Sequence, residues 1–459
     1  MNTGSCFCKK HFSFFFWYFC YMNLSAIKYN ITYFKFYCKG LYLLFLKKEW
    51  KKKRDTELVR ILKYAIVHSK YIRNSVGLSD EDINEENVIE SLKKFPTITK
   101  QTIIEKQWEI YSDEVPYDYQ NWRETGGSTG QPLRYPALAS SYYLEDVCQM
   151  ILYHQMGFHW GDTIVYFGGD RVAEEKVINN IYWFESNNLP YGKFIYCIRY
   201  LNEETFPYYV ESLNKVAPKF VRGYTSSVKQ FCRLVKKNKT HLQFKLKGIY
   251  LTSESATQKD RDYIESILQC PVWGQYGHTE CSVFAVSKPH DSKYFTNPLY
   301  GYTEILDSDG NQVSVGAFGE ITVTGFNIIG MPFVRYRTGD MAIYGGETKY
   351  GETILTELLG RSMDFLYDND GNKVYALSLL FDASNLNLLD YIKVWQIVQN
   401  EDGKIFVKIV RDDLYNDEIE KAIKDVFAYK NISVSFMYVD EIPMTSRGKH
   451  KFIIQRFEK

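Results

Sequence analysis

Between Thr163 and Glu280 the chain alternates short apolar runs with helix-forming segments, and this alternation limits the possible folds more than any other feature. Thr163-Ile164-Val165-Tyr166-Phe167 ends in Gly168-Gly169. Phe220-Val221-Arg222-Gly223-Tyr224 leads into a helix expected over 226–236, and Gly248-Ile249-Tyr250-Leu251-Thr252-Ser253-Glu254 into one over 257–268. A further helix is expected over 141–157. Apolar runs of this length bounded by turn residues read as strands, and helical crossovers between them make neighbours parallel. The fold class expected is α/β: a large N-terminal domain of mostly parallel, helix-covered sheets, whose ligands collect at the carboxyl ends of the strands.

A chain of 459 residues exceeds what one hydrophobic core serves, so more than one domain is expected. Downstream of Gly360 the pattern changes. Tyr391 to Val398, the turn Glu401-Asp402-Gly403 and Ile405 to Val410 read as a hairpin. A helix over 417–427 and a strand over 432–436 complete a small α+β unit. The division expected is an N-terminal segment 1–54, a large domain 55–359 and a small mobile domain 360–459. The large domain should open with a helix that buries Leu58, Ile61, Leu62, Ala65 and Ile66 on one face, because they recur at three-four spacing. Helix starts are expected at Ser79 to Asp82 and, after Pro96, at Thr97 to Lys100.

A net charge of +1 gives no overall attraction to nucleic acid, so none is expected as a partner. Nine cysteines without C-x-x-C pairs suit neither a disulfide framework nor a structural zinc site, and point to the cytoplasm. Nothing in the sequence sets the oligomeric state. The aromatic run Phe14 to Phe19 is shorter than the roughly 20 apolar residues of a spanning helix, and Lys28, Lys35 and Lys39 interrupt its extension. Lys9 and Lys10 are not followed by a small-x-small cleavage pattern. Aromatic surface followed by Lys47, Lys48, Lys51, Lys52, Lys53 and Arg54 fits peripheral membrane contact through residues 12–54. The same residues also fit packing on the protein's own body, or a translation start at Met22.

Five stretches carry chemistry. Thr125-Gly126-Gly127-Ser128-Thr129-Gly130-Gln131-Pro132 has the glycines and hydroxyls of a phosphate cradle, and equally of a solvated loop. Val272 to Glu280 reads as a strand ending in an aromatic ring, a glycine, a hydroxyl and a carboxylate. Glu280 is the ligand type Mg2+ takes beside phosphate oxygens, or else a surface glutamate, and His278 is catalytic or merely packed. Tyr336-Arg337-Thr338-Gly339-Asp340 places an aspartate at a strand end past a glycine turn, where it can accept from two vicinal ribose hydroxyls. Gly360-Arg361-Ser362-Met363-Asp364 and Pro443 to Lys449 bracket the small unit.

In this order the motifs resemble those of the adenylate-forming enzymes, most closely the phenylacetate-CoA ligase branch that includes CapK-type capsular-polysaccharide biosynthesis proteins. The likeness runs from about Leu58 to Lys449, and its specificity lies in the joint order, since each motif alone is modest. The resemblance implies ATP and Mg2+, and CoA as one acceptor. Thr125, Gly126, Gly127, Ser128, Thr129 and Gly130 would grip pyrophosphate, and Ser253 and Glu254 would lie near the nucleotide. Tyr276 and Gly277 would flank adenine, and Asp340 and Arg361 would fix the ribose. Glu280 would hold the metal, with Thr279 beside it, and Lys449 would be the catalytic lysine. Gly360 and Asp364 would form the hinge. Tyr224 and His278 are candidates for the pocket of a small carboxylic acid, which would pass to a thiol or an amine.

Two positions depart from the pattern. Gln131 stands where many relatives have lysine, which removes a positive charge beside the pyrophosphate, and Met363 stands where the hinge often has an acid. These departures suit the alternative of a catalytically silent scaffold for polysaccharide assembly; intact Glu280, Asp340 and Lys449 favour the enzyme. A P-loop NTPase is excluded, because no Gly-Lys-Ser/Thr follows the glycine loop.

Overall fold

The computed structural model describes residues 24–116, 122–125, 133–136, 143–186, 188–254, 256–361, 365–375, 391–412, 414–443 and 453–455. The run Phe14 to Phe19, the loop Gly126 to Pro132, Met363, Asp364 and Lys449 lie outside these residues.

Helix α1 (Leu24–Phe45) packs along a later helix, α6 (Tyr143–Gln155). Gly40 lets the two approach, since a Cβ there would stand 3.1 Å from Met150, and His154 Nε2 donates to the Tyr37 carbonyl at 2.8 Å. Part of the N-terminal segment is therefore packed on the body of the protein. Helix α2 (Trp50–His68) buries Leu58, Ile61, Leu62, Ala65 and Ile66, as their spacing predicts. Each of the Leu and Ile side chains contributes about 1.5–3 kcal/mol on burial, here against α3 (Lys70–Val76), α4 (Val88–Leu92), Phe326 and Val334. Helix α5 (Lys100–Ile110) starts where expected, with the Thr99 hydroxyl accepting from Thr102 N.

The hairpin β1 (Trp122–Glu124) and β2 (Arg134–Pro136) precedes α6 (Tyr143–Gln155). The alternating section follows: β3 (Ile164–Gly168), α7 (Glu174–Ile178), β4 (Trp183–Glu185), β5 (Phe194–Cys197), α8 (Phe206–Val216), β6 (Phe220–Gly223), α9 (Thr225–Lys237), β7 (Gly248–Leu251), α10 (Gln258–Leu268) and β8 (Val272–Gly277). Then come β9 (Phe284–Ser287), β10 (Tyr294–Thr296), β11 (Gly301–Leu306), β12 (Phe318–Gly325), β13 (Tyr336–Glu347) and β14 (Thr353–Arg361). All but the first hairpin join one 12-stranded sheet, ordered β11-β12-β13-β14-β10-β9-β8-β7-β6-β3-β5-β4. Its character is mixed, which refines the expectation of a mostly parallel sheet. The parallel ladders are confined to β5-β3-β6-β7-β8, where helical crossovers supply the return path, and the flanking ladders are antiparallel, most of them between consecutive strands joined without a helix.

Alternation along the parallel strands divides two cores. Ile164, Phe220, Tyr250 and Trp273 face α6, while Val165, Val221, Ile249 and Val272 face the side covered by α8, α9 and α10. After β14 the chain enters the small unit: β15 (Phe365–Tyr367), β16 (Lys373–Tyr375), β17 (Ile392–Glu401), β18 (Lys404–Arg411), α11 (Asp417–Tyr429), β19 (Ser433–Tyr438) and β20 (Ile453–Gln455). Its four-stranded sheet, ordered β19-β18-β17-β20, buries Ile397, Val407, Ile423 and Phe427 in a core of its own. The hairpin, helix and strand fall within a few residues of their expected places. Arg233 of α9 reaches Asp412, just past β18, at 2.7 Å and ties the small unit to the large one.

One buried cation holds the start of β13. Arg335 Nε and Nη2 donate to the two oxygens of Glu304 at 3.2 and 3.1 Å, and its remaining donors reach the carbonyls of Lys93, Phe95 and Gly310. Ile98 N also donates to the Arg335 carbonyl, so the helical region α2–α5 is tied to this strand. Removing one member of such a pair strands the other charge. Arg335→Met is expected to lower unfolding free energy by about 3–5 kcal/mol in urea titration, with Glu304→Met on top recovering part of the loss. A single mutant as stable as the parent would show that the clamp is dispensable.

Candidate active site

The motif residues that are described converge at the carboxyl edge of the parallel strands. β8 ends in Tyr276-Gly277, and the chain then makes a tight turn, with Cys281 N donating to the His278 carbonyl at 3.1 Å and Cys281 at φ +50°. Neighbouring elements pin this turn. Tyr135 OH donates to the Thr279 carbonyl, Asn327 Nδ2 to that of Cys281 at 3.1 Å, and Ser282 Oγ to that of Glu280 at 3.0 Å. Gly301 and Gly325 make room for it: a Cβ on the first would fall 2.3 Å from the Ser282 carbonyl oxygen, and on the second 2.5 Å from its hydroxyl. Only glycine allows that approach.

The turn presents Glu280, a carboxylate only 9% exposed. Tyr336 OH donates to Oε1 at 3.2 Å, His278 Nδ1 lies 3.2 Å from Oε2, and the Thr279 hydroxyl reaches Oε2 at 3.5 Å. Burial alone would push the carboxyl up. The facing His278 charge, the Glu280 backbone N–H and Tyr336 OH outweigh it and bring the group to about 2. The His278 contact is close in distance but off hydrogen-bond geometry, and neither ring nitrogen finds a hydrogen-bond partner among the described residues. Glu280 thus fits a hard cation: an anionic oxygen donor with spare lone pairs, needing phosphate oxygens and water to complete the shell.

Asp340 comes to the same place by a different route. In β13 the ladder to β12 pairs Thr322 with Arg337 and Glu320 with Met341, so Ile321 alone faces three residues, Thr338, Gly339 and Asp340. Asp340 therefore sits in a bulge within a 12-residue strand, where a strand end was expected. The cause is local. Gly339 takes φ +79°, and Glu320 fills the loop by accepting from Gly339 N at 2.9 Å and Arg337 Nε at 2.7 Å. Asp340 Oδ2 accepts from Tyr276 OH at 2.7 Å. Burial and that carboxylate raise the Tyr276 phenol, which stays a neutral donor. Across the ladder to β14, Asp340 pairs with Arg361 and Met341 with Gly360, so the ribose and hinge motifs lie side by side.

The other candidates are distributed around this centre. Thr125 closes the neck of the glycine loop: its N donates to the Leu133 carbonyl at 2.9 Å and its hydroxyl accepts from Leu133 N at 3.0 Å. Ser253 follows β7 at φ +67°. Glu254 caps α9, accepting from Ser226 N at 2.8 Å and Ser226 Oγ at 3.0 Å. Tyr224 stands just past β6 with its ring 6.0 Å from that of Tyr166. Gly277 ends β8 beside Tyr276, and a Cβ there would meet the Gln275 amide at 2.6 Å. The roles of Glu320 and of the Tyr336 hydroxyl escaped sequence reasoning, because both depend on strand pairing. Arg222 left a signal, as the lone charge in an apolar strand.

A carboxyl held below its ordinary value of roughly 4.3 stabilises the fold above that pH, and the contribution disappears as pH falls from there toward about 2. Glu280→Gln should therefore melt below the parent at neutral pH, with the gap in Tm narrowing between about pH 5 and about pH 3. A gap that stays constant through that range would contradict the assigned electrostatics.

Residues 366–456 match the family model of the CapK C-terminal domain. Over 407 residues the chain is 26% identical to Protein CapK of Staphylococcus aureus, covering 84% of this chain and 87% of that one. Among solved structures, 2-hydroxyisobutyryl-CoA ligase in the postadenylation state, in complex with R3-HIB-AMP, superposes with a TM-score of 0.67 at 15% identity, over 88% of this chain and 89% of that one. The same ligase in an open conformation with 2-HIB-AMP and CoA gives 0.54 at 15% identity, over 88% and 91%. AtGH3.15 acyl acid amido synthetase in complex with 2,4-DB gives 0.60 at 15% identity, over 92% and 94%. The fold is that of the adenylate-forming ligases.

Proposed function

We propose that this CapK homologue, built on the fold of the adenylate-forming ligases, activates a carboxylic acid with ATP and passes the acyl group to a thiol or amine. The observation that carries the reading is the meeting of three groups at one strand edge: buried, ionised Glu280, the unsatisfied His278 ring and Asp340 oriented by Tyr276. The related folds found with acyl-AMP compounds and CoA support the same reading.

In the first half-reaction the acid's carboxylate oxygen attacks the α-phosphorus of ATP, and the bond to pyrophosphate breaks. In the second, a thiolate or amine attacks the acyl carbon and AMP leaves. Both reactants of the first step are anions, so the protein's work is positioning and charge neutralisation. Lys449 bridges the acid and the α-phosphate, and the 125–132 loop steadies the departing pyrophosphate. Asp340 and Arg361 hold the ribose, while Tyr276 offers its ring to adenine and its hydroxyl to Asp340. Glu280 would hold Mg2+, which supplies neutralising charge to the phosphates. Gly360, Arg361 and Asp364 form the hinge between the domain 55–359 and the domain 360–459, so that Lys449 withdraws before transfer. The likeness to CapK suits a role in capsular or other surface-polysaccharide biosynthesis, at the cytoplasmic side where ATP and free thiols are available.

Lys449→Ala is expected to slow Mg2+-dependent exchange of labelled pyrophosphate into ATP by at least about 100-fold, the scale for one preorganised donor. An unchanged rate would remove the lysine from the mechanism, and no exchange by the parent chain with any acid of a broad panel would favour a silent scaffold.

The outer face of α1 supports peripheral membrane contact. No helix among the described residues is long and apolar enough to cross a membrane. Ile31, Leu41, Tyr42 and Phe45 are nevertheless exposed, with Phe45 at 86%, beside exposed Lys35 and Lys39. Such a face suits the boundary of an anionic bilayer. The chain should float with vesicles containing phosphatidylglycerol and not with purely zwitterionic ones, and Leu41→Ser/Phe45→Ser should abolish flotation; equal behaviour with both lipids would reject the contact.

A further inference from the structure

Arg222 occupies a position where charge is costly. It lies in β6, flanked on both sides by parallel strands, and is 6% exposed. Alternation turns it toward the α6 side of the sheet, level with its cross-strand partners Tyr166 on β3 and Tyr250 on β7. Its guanidinium carbon stands 3.9 Å from the ring centroid of Tyr191, 5.1 Å from that of Tyr250 and 5.6 Å from that of Tyr166. Nη1 donates to the Pro190 carbonyl at a long 3.4 Å, and Nε has no partner among the described residues. Equally buried Arg335 holds a carboxylate through two bonds. Among the described residues Arg222 pairs with none within 4.0 Å.

Neither acid at the start of α6 supplies the missing anion: Asp146, which burial and Glu145 push up to about 7 against the opposing pull of Arg222, forms no ion pair with it within 4.0 Å. Glu145 is already taken by Gln149 Nε2 at 2.9 Å, Tyr191 OH at 3.4 Å and Tyr300 OH. Aromatic faces attract a desolvated cation but leave its N–H groups unbonded, and a buried charge is ordinarily paired. The position is also near the chemistry. β6 ends one residue later at Gly223, followed by Tyr224, whose ring leans on Tyr166. On the other side the cluster borders the Glu280 turn, since Glu145 and Tyr300 both bear on Cys281.

We propose that Arg222 is a specificity-determining residue of the acid site, and that the acid carries a second anionic group which Arg222 receives. The substrate class is a dicarboxylic acid or a phosphorylated acid, with one carboxylate adenylated and the distal anion held by the guanidinium. This rests on the acyl-adenylate reading above.

The test is pyrophosphate exchange by the full chain with matched acids: glutarate against valerate for a distal carboxylate, and 3-phosphoglycerate against glycerate for a distal phosphate. The parent should favour at least one dianion over its partner by at least about tenfold in kcat/KM, as expected of a site left with an unpaired donor by the analogue. Arg222→Met should raise KM for the dianion by a similar factor and leave the monoanion within about threefold, while Arg222→Lys keeps part of the preference. Monoanions preferred by the parent, or an equal loss on both partners in Arg222→Met, would overturn the proposal. Should Arg222→Met not fold, the parent's preference and its reduction in Arg222→Lys decide the question. If no acid supports exchange, the adenylation reading fails separately, and calorimetric binding of the dianions to parent and variant then decides Arg222: binding lost in the variant sustains the site, and no binding to the parent overturns it.

Discussion

The hydrogen bond from Tyr276 to Asp340 is a constraint on the whole large domain, because its two ends belong to strands that are not neighbours. β8 and β13 are separated in the sheet by β9, β10 and β14, so a flat sheet would set them roughly 19 Å apart. At 2.7 Å the two side chains meet, which requires the antiparallel half to curl back over the carboxyl ends of the parallel half. Gly301 and Gly325 on β11 and β12 press against Ser282 in the turn after β8, which is the same closure seen one layer deeper. Twist of one hand accumulates across a sheet and favours such curling. The bond to a carboxylate rewards it with about 1.5–3 kcal/mol.

Closure turns separate motifs into one site. Glu280 and Asp340 are 60 positions apart in sequence, yet each is held by a tyrosine from the other's stretch: Tyr336 on Glu280 and Tyr276 on Asp340. This reciprocal arrangement limits how far either carboxylate can drift, and the ladder to β14 sets Gly360-Arg361 in register beside Asp340. The chain leaves the large sheet at that point. The bulge is held from the opposite ladder, where Glu320 on β12 accepts from Gly339 N. The ion pair of Arg233 with Asp412 joins the small unit to the large one.

Much of this was legible from residue patterns alone. The face Leu58-Ile61-Leu62-Ala65-Ile66, the strand–helix alternation and the hairpin before α11 follow from local periodicity, and each appears within a few residues of its expected place. Other features were not legible, for identifiable reasons. Asp340 read as the end of a strand because nothing local announces a bulge; the second strand that defines it, β12, enters only on folding. The partner of Glu254, Ser226 at the head of α9, was not legible either, because it depends on how β7 and α9 come together. The parallel character of the sheet was overstated because the strands after β8 follow one another without helical crossovers, and their antiparallel sense is decided by connection and pairing, not by strand composition.

The sequence by itself determined the element types, the α/β class and the chemical inventory of the site, since periodicity, caps and the residue types at Tyr276, Glu280, Asp340 and Arg361 are local properties. Only the tertiary structure decided which of those groups meet, which carboxyl is held near 2 and which cation, Arg222, is buried without a carboxylate among the described residues. The physical reason is the same in each case. Electrostatic environment and hydrogen-bond partnership depend on distance and desolvation between residues far apart in the chain, and a curled sheet sets both.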